Sequence, residues 1–252
     1  MSNRRTSPFI FGHRGARMDA PENTLAAFGL ALEQGADGFE LDTQLTLDGH
    51  VVSFHDKTVD RVTNGQGKLA KMTLAQIREL DAGASFSDKF KGEKIPTLDE
   101  VFETFGKRAA IINVELKNFS TPFDHLAEKV CAAVRRHGME KIVVFSSFLP
   151  WDLKVAARIL PDVPRGLLTI KGRWGTWGRS FGFNFGNYNA LHPNLNDVSA
   201  QTVQRVHRLN RKINVWTVNA EEDIRRMISW GVDGIITDTP ATAARIVRGP
   251  TT

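Results

Sequence analysis

A single cysteine, Cys131, sets the first limit on this sequence. One thiol cannot close an intramolecular disulfide, so the disulfide-stapled secreted scaffolds are excluded and a reducing, cytoplasmic setting is expected. Long apolar runs are as scarce. None approaches the roughly 20 residues that a spanning helix needs, so no transmembrane segment is expected, while peripheral contact with a membrane stays open. No basic start followed by an apolar run and a small-residue cleavage site is present, so no secretory signal is expected either. A long basic stripe and any recognisable nucleic-acid module are also missing. Arg205, Arg208, Arg211 and Lys212 cluster, as do Arg225 and Arg226, but on or beside outer helices with Glu and Asp nearby, which reads as solvated surface and not as nucleic-acid binding. The stretch Asn64-Gly65-Gln66-Gly67 has no following Lys-Ser/Thr and no strand-to-helix context, which excludes a phosphate-binding P-loop.

What is present points to one α/β domain. The chain has 252 residues, 41% hydrophobic and 24% charged, and a net charge of +5. That length suits a single (β/α)8 barrel, and one domain over residues 1–252 is expected. Short apolar runs alternate with helical patterns along the whole chain, the sign of βα units and a parallel sheet. Strands are predicted at 9–12, 38–41, 110–115, 142–146, 166–169, 190–192, 213–218 and 234–237. Helices are predicted at 24–34, 98–105, 123–137, 153–160, 200–209, 221–230 and 241–247. Asn23 is the expected N-cap of the first helix and Gly35 its end, Ser199 caps the sixth helix, and Gly231 ends the seventh. Residues 172–189 are Gly- and aromatic-rich without helical period, so a loop with at most a short turn is expected there. The stretch 43–96 is too long for a barrel loop and reads as an insertion with its own structure. Within it, 45–47 and 51–54 flank the turn signal Asp48-Gly49, and 73–80 reads as a short helix. An insertion after the second strand lies on the C-terminal face, where barrel enzymes build their sites.

The chemistry sits at strand ends. Side chains alternate across a strand, so Glu40 and Asp42 share one face around Leu41, and Glu115 and Lys117 share one around Leu116. Three carboxylates are hard ligands suited to a divalent cation such as Mg²⁺, Ca²⁺ or Mn²⁺. Beside them, Lys117, Arg14 and the imidazoles of His13 and His55 are the groups that hold and cleave a phosphodiester. Glu40, Asp42 and Glu115 could instead form a metal-free charge network with Lys117 and Arg14. Arg14 could grip phosphate or pair with Glu22 to hold its turn. Trp216 could wall a substrate pocket or pack at the barrel mouth. The other histidines, His50, His125, His137, His192 and His207, lack comparable context, and His192 alone lies at a strand end.

The ordered set of motifs resembles the glycerophosphodiester phosphodiesterase family from about Phe11 to about Pro240. His13-Arg14-Gly15, Pro21-Glu22-Asn23-Thr24, Gly38-Phe39-Glu40-Leu41-Asp42, Thr46-Leu47-Asp48-Gly49 and His55-Asp56 are similar to its N-terminal signature. Arg61-Val62-Thr63-Asn64-Gly65-Gln66-Gly67, Leu80-Asp81-Ala82-Gly83, Ile95-Pro96-Thr97-Leu98, Glu115-Leu116-Lys117, Val215-Trp216-Thr217-Val218-Asn219 and Gly231-Val232-Asp233-Gly234-Ile235-Ile236-Thr237-Asp238 continue the series. The resemblance implies a TIM barrel and metal-dependent hydrolysis of a small glycerophosphodiester to sn-glycerol 3-phosphate and an alcohol. It implies His13 and His55 as an acid–base pair, Glu40, Asp42 and Glu115 as ligands of Mg²⁺ or Ca²⁺, and Arg14, Lys117 and Trp216 toward substrate. The nucleophile can be the substrate's own 2-hydroxyl or water. A lysophospholipase D-type reaction keeps the same chemistry, and the aromatic residues between 174 and 188 would then meet an acyl chain or a bilayer. A non-catalytic glycerophosphodiester-binding barrel is the remaining reading, although every catalytic position is filled. No motif fixes an oligomeric state.

Overall fold

The structure, a computed structural model, describes residues 7–118, 121 and 124–249. The expected domain limits at 1 and 252 and the predicted helix start at Phe123 lie outside the described residues. The strands are β1 (Phe9–His13), β2 (Gly38–Leu45), β3 (Val51–Ser53), β4 (Ile111–Leu116), β5 (Val143–Ser147), β6 (Arg165–Leu168), β7 (Ala190–His192), β8 (Lys212–Val215) and β9 (Gly234–Thr237). The helices are α1 (Leu25–Glu33), α2 (Leu74–Glu79), α3 (Leu98–Phe105), α4 (Leu126–Arg136), α5 (Pro150–Ile159), α6 (Phe183–Phe185), α7 (Ala200–Arg208), α8 (Glu221–Trp230) and α9 (Pro240–Arg248). All strands but β3 are parallel, and β1 pairs with both β2 and β9, through Phe11 with Gly38 and Phe11 with Ile236. The sheet therefore closes into a TIM barrel, which removes its edges.

Period-two alternation divides the strands. Ile10, Phe39, Leu41, Ile112, Val114, Phe145, Leu191, Ile213 and Ile235 turn outward into the main core, between barrel and helices. There Phe28 of α1 stacks on Phe39 with ring centres 4.3 Å apart, and Phe105 of α3 meets Phe39 edge-on at 5.6 Å. The inward-facing positions include the polar Glu40, Asp42, Asn113 and Glu115 beside the apolar Leu168 and Ile236.

Local chemistry sets the helix ends. Thr97 and Glu100 form a capping box on α3, Thr73 and Gln76 do the same for α2, Ser199 caps α7, and Gly231 ends α8 at φ 74°. One cap differs from expectation. Thr24 caps α1 by accepting from the Ala27 amide, and Asn23 spends its side chain elsewhere.

β2 runs four residues past its predicted end to Leu45 and pairs antiparallel with β3, so the hairpin at Asp48-Gly49 is an extension of a barrel strand. The rest of the insertion wraps its own small core of Val52, Phe54, Val59, Leu69, Ile77, Ala82 and Ile95. β8 is shorter than predicted. It stops at Val215, after which the Trp216 amide and indole bond to Pro193 O and His192 O at the end of β7.

The largest departure lies between β6 and β7. A turn at Arg173–Gly175 leads into wide helical turns over Gly178–Gly182 and then α6, where a loop was expected. The period was hidden because the aromatic stripe at Trp177, Phe181 and Phe185 faces solvent, while Phe183 alone faces the core. No helix among the described residues is long and apolar enough to cross a membrane.

Candidate active site

The β1–β2–β4 ladder brings the predicted site residues together. His13 lies opposite Glu40, and Asp42 lies opposite Glu115. Oxygens of Glu40, Asp42 and Glu115 all come within 4.8 Å of one another, in a buried cluster at the C-terminal end of the barrel. Lys117 Nζ sits 3.4 Å from Asp42 Oδ1 and 3.5 Å from Glu115 Oε1.

The His13-Arg14-Gly15 turn closes over these carboxylates. Arg14 is left-handed at φ 55°, and Gly15 follows at φ 84°. A Cβ on Gly15 would lie 2.5 Å from the backbone of Ala27, so only glycine lets the turn press against α1. The turn aims the Arg14 amide at Glu40 Oε2, 3.0 Å away, and places Arg14 Nε 3.4 Å from Asp42 Oδ2 while Nη1 donates to Glu22 at 2.9 Å. Arg14 therefore pairs with Glu22, as one reading expected, and it also lines the cavity. Asn23, at φ 59°, donates to Asp42 Oδ2 at 2.9 Å and accepts from the Asp42 amide and the Ser53 hydroxyl. The residue expected to cap a helix instead fixes a site carboxylate.

His13 and His55 face one cavity from different elements, β1 and the segment after β3. Each presents Nδ1 to a carboxylate at 2.7 Å, His13 to Asp238 and His55 to Asp56. An ionised carboxylate only accepts, so Nδ1 carries the proton in both rings and Nε2 keeps its lone pair. Asn219 orients Asp238 through Nδ2 at 2.7 Å and accepts from its amide. Arg61 holds Asp56 through Nε at 2.6 Å and forks onto Glu22, which already binds Arg14. Asp56 and Asp238 were part of the matched motifs without a role of their own. Their signal was adjacency, to His55 in one case and to the end of the last strand in the other.

Burial and charge tune these groups in different directions. Burial lowers both imidazoles below the usual histidine value, against the pull of Asp238 on His13 and of Asp42 on His55. Burial, reinforced by Asp42 and Glu115, raises Glu40 well above the carboxylate range, and burial with Asp42 raises Glu115 to about 7. Asp42 goes the other way: burial pushes it up, but Arg14, Lys117 and His55, with the Asn23 hydrogen bond, hold it well below the ordinary value. Two fixed cations thus leave the three carboxylates with surplus negative charge, and the hard oxygen set fits a divalent ion.

The cavity measures about 270 Å³. Its lining combines the polar Glu40, Glu115, Lys117, Arg14 and both histidines with the apolar Phe148, Leu168, Trp216 and Ile236. Trp216 thus lines the cavity while its indole N–H is tied to His192 O at 2.8 Å. Asn113 and Ser146, absent from the sequence reading, line it as well. Asn113 Oδ1 and Ser146 Oγ are buried with no hydrogen-bond partner among the described residues. Asn113 shares a strand face with Glu115 two residues on, a signal that alternation offered.

The remaining histidines stay outside. His192 is fully buried beside Gly166, with Nε2 2.9 Å from Asn214 Nδ2. Burial lowers it to about 3, so it is a neutral packing group. His50, His125, His137 and His207 pair with Asp48, Glu128, Asp99 and Asp233 away from the cavity.

Comparison with known proteins gives one answer. The glycerophosphoryl diester phosphodiesterase family matches residues 13–242. A glycerophosphodiester phosphodiesterase of Caldanaerobacter subterraneus subsp. tengcongensis is 42% identical over 239 residues, covering 95% of this chain and 97% of its own. A phosphodiesterase of Oleispira antarctica, solved in complex with the product sn-glycerol-3-phosphate, superposes with a TM-score of 0.84 at 29% identity, covering 96% of this chain and 97% of its own. The glycerophosphodiester phosphodiesterase of Agrobacterium tumefaciens gives 0.78 at 30% identity, covering 94% of this chain and 99% of its own.

Proposed function

The chain belongs to the glycerophosphoryl diester phosphodiesterase family, and we propose that it hydrolyses small glycerophosphodiesters to sn-glycerol 3-phosphate and an alcohol, as one catalytic domain whose insertion at 43–96 supplies His55. One observation carries the reading: two imidazoles, each with Nδ1 committed to a carboxylate, face the cavity that also holds the three-carboxylate cluster and Lys117. The product bound to the Oleispira antarctica relative supports the substrate class.

In this mechanism Lys117 neutralises phosphate oxygens as a point charge, and Arg14 adds its positive charge to the same cavity while it stays anchored on Glu22. The Nε2 of one histidine takes the proton of the attacking hydroxyl as the new P–O bond forms. The other histidine protonates the alcohol oxygen as its bond to phosphorus breaks. The singly negative phosphodiester that enters the cavity favours the charged form of the imidazole that donates, against the burial that otherwise keeps both rings neutral. A divalent metal, Mg²⁺ or Ca²⁺, would be held by Glu40, Asp42 and Glu115, and when bound it draws charge from the phosphoryl group and lowers the pKa of the nucleophilic hydroxyl. Trp216 walls the glycerol side.

The test is release of the alcohol head group from glycerophosphocholine, glycerophosphoethanolamine and lysophospholipids, with glycerol 3-phosphate measured as the second product of the first two, with and without EDTA. Release from the first two that EDTA abolishes and Mg²⁺ or Ca²⁺ restores is expected. Cleavage of lysophospholipids alone would move the substrate to the lipid class, and tight binding without turnover would make the barrel a binding protein. Turnover indifferent to EDTA would remove the metal.

A further inference from the structure

The helical segment between β6 and β7 turns the usual arrangement inside out. Trp174 is 90% exposed, Phe185 77%, Trp177 65% and Phe181 56%. Trp177, Phe181 and Phe185 recur every fourth residue and form a continuous outward ladder, with ring centres 5.9 and 4.6 Å apart. Isolated apolar side chains on a surface need no explanation, but a contiguous aromatic ladder marks a contact surface.

The ladder stands on a built support. Arg179 reaches back to the carbonyls of Ile170 and Gly172 and to Asp197, at 2.9 to 3.1 Å. Arg205 donates to Arg179 O at 2.7 Å and to Asn184 Oδ1 at 2.8 Å, and Arg211 donates to Phe183 O. Polar groups pin the backbone from beneath, and the aromatic rings are held outward.

Charge and shape say what covers them. Residues 170–188 carry Lys171, Arg173 and Arg179 and no acidic residue. Arg179 is spent on Asp197, whereas Lys171 and Arg173 are exposed beside Trp174. Protruding indoles and phenyl rings flanked by cations are the composition of helices that lie in a bilayer interface, where the rings enter the acyl boundary and the cations meet anionic headgroups. An almost wholly exposed indole projects from the surface instead of forming a pocket, which suits a fluid layer. The segment also follows the C-terminal end of β6, whose Leu168 lines the cavity two residues before Ile170.

We propose that the aromatic face of residues 170–188 is a membrane-docking surface that seats the mouth of the barrel on an anionic phospholipid bilayer. Binding is independent of turnover, so the two readings fail separately. The experiment is sedimentation of the full chain with vesicles of phosphatidylcholine alone and of phosphatidylcholine with phosphatidylglycerol. The expected result is binding that needs phosphatidylglycerol and falls about tenfold or more in Trp174→Ser/Trp177→Ser, each indole lost from the interface weakening it by apolar transfer. Lys171→Glu/Arg173→Glu should remove the phosphatidylglycerol dependence, and Phe185→Ser should weaken binding less than the double replacement. Hydrolysis of glycerophosphocholine free in solution should be unchanged in every variant, which shows that they fold. Absence of wild-type binding to the anionic vesicles overturns the proposal, as does binding that the aromatic replacements leave intact. A dimer in size-exclusion chromatography that Trp174→Ser/Trp177→Ser dissociates would assign the face to a second copy and equally overturn it.

Discussion

Asp42 and Glu115 stand directly opposite each other across the β2–β4 ladder, and Lys117 Nζ lies between them, 3.4 Å from one and 3.5 Å from the other. A buried pair of like charges at ladder distance is repulsive, so the ammonium is part of what keeps both carboxylates in place. It also places a cation beside the position that a metal would take. A divalent ion held there would compete with Lys117 for the same oxygens, and under the proposed mechanism the two would cooperate toward phosphate.

Lys117→Met separates these two effects. Removing the ammonium leaves more uncompensated negative charge on the cluster, so metal affinity, read by calorimetric titration of the chelated protein, should rise. Turnover should fall at the same time, by roughly 10²–10³ in kcat/KM, the cost of removing one preorganised donor to a developing charge. If affinity and turnover fell together, Lys117 would be a support for the ligands and not a phosphate group.

The two histidine–aspartate pairs should be unequal to their histidines. Replacing His13 or His55 by Asn removes a proton carrier and should cost about 10²–10⁴ in kcat. Asp238→Asn and Asp56→Asn leave the ring but allow the wrong tautomer, since an amide can donate to Nδ1 as well as accept. A smaller loss is expected, confined to kcat with KM little changed. Arg61→Met should resemble Asp56→Asn in direction, because Arg61 orients Asp56 and ties it to Glu22. Full turnover in His55→Asn would refute the pairing.

The sequence carried the site better than it carried the fold around it. Glu40, Asp42, Glu115 and Lys117 were legible because strand alternation is local, so residues two apart face one way whatever the rest of the chain does. His55 could be placed on the right face because an insertion after a strand's C-terminal end has nowhere else to go. Asn23 was misread because capping preference is a local rule, and the partner that overrides it, Asp42, lies in the next strand. The helical turns at 176–185 were missed for a related reason. Sequence periodicity assumes that the apolar stripe is the buried one, and here Trp177, Phe181 and Phe185 are the exposed stripe. Asn113 shares a strand face with Glu115, which alternation offered, whereas Ser146 lies on another strand with no motif around it, and only the closed barrel shows that the two line one cavity.

Those two residues support a prediction in which stability and function part. Asn113 Oδ1 is buried without a partner among the described residues, so it contributes nothing to folding as an acceptor and carries the penalty of lost hydration. Asn113→Leu, of similar volume, should therefore hold or raise the thermal midpoint. It lines the cavity, so under the proposed mechanism its Oδ1 would accept from a substrate hydroxyl, and KM should rise with kcat less affected. A variant that lost stability while keeping its KM would show Asn113 to be bound through a group of the fold instead.

His192 gives the pH dependence of the fold. Burial holds this imidazole at about 3 in the folded chain, against an ordinary histidine value of 6.5. Between those two values the unfolded chain binds a proton that the folded chain refuses, so stability rises with pH across that window and is lost as pH falls through it. The slope from this one group reaches about 1.4 kcal/mol per pH unit once the unfolded imidazole is charged. Above about pH 7 neither state is protonated there, and the contribution is flat. Denaturant unfolding of the wild type and His192→Gln at pH 5 and pH 7.5 isolates it, because carboxylates elsewhere act on both proteins alike. The wild type should lose more stability between the two pH values than the variant. The Asn214 amide, which meets His192 Nε2 at 2.9 Å, can still donate to the glutamine carbonyl. Equal losses in the two proteins would mean that His192 takes up its proton in the folded barrel.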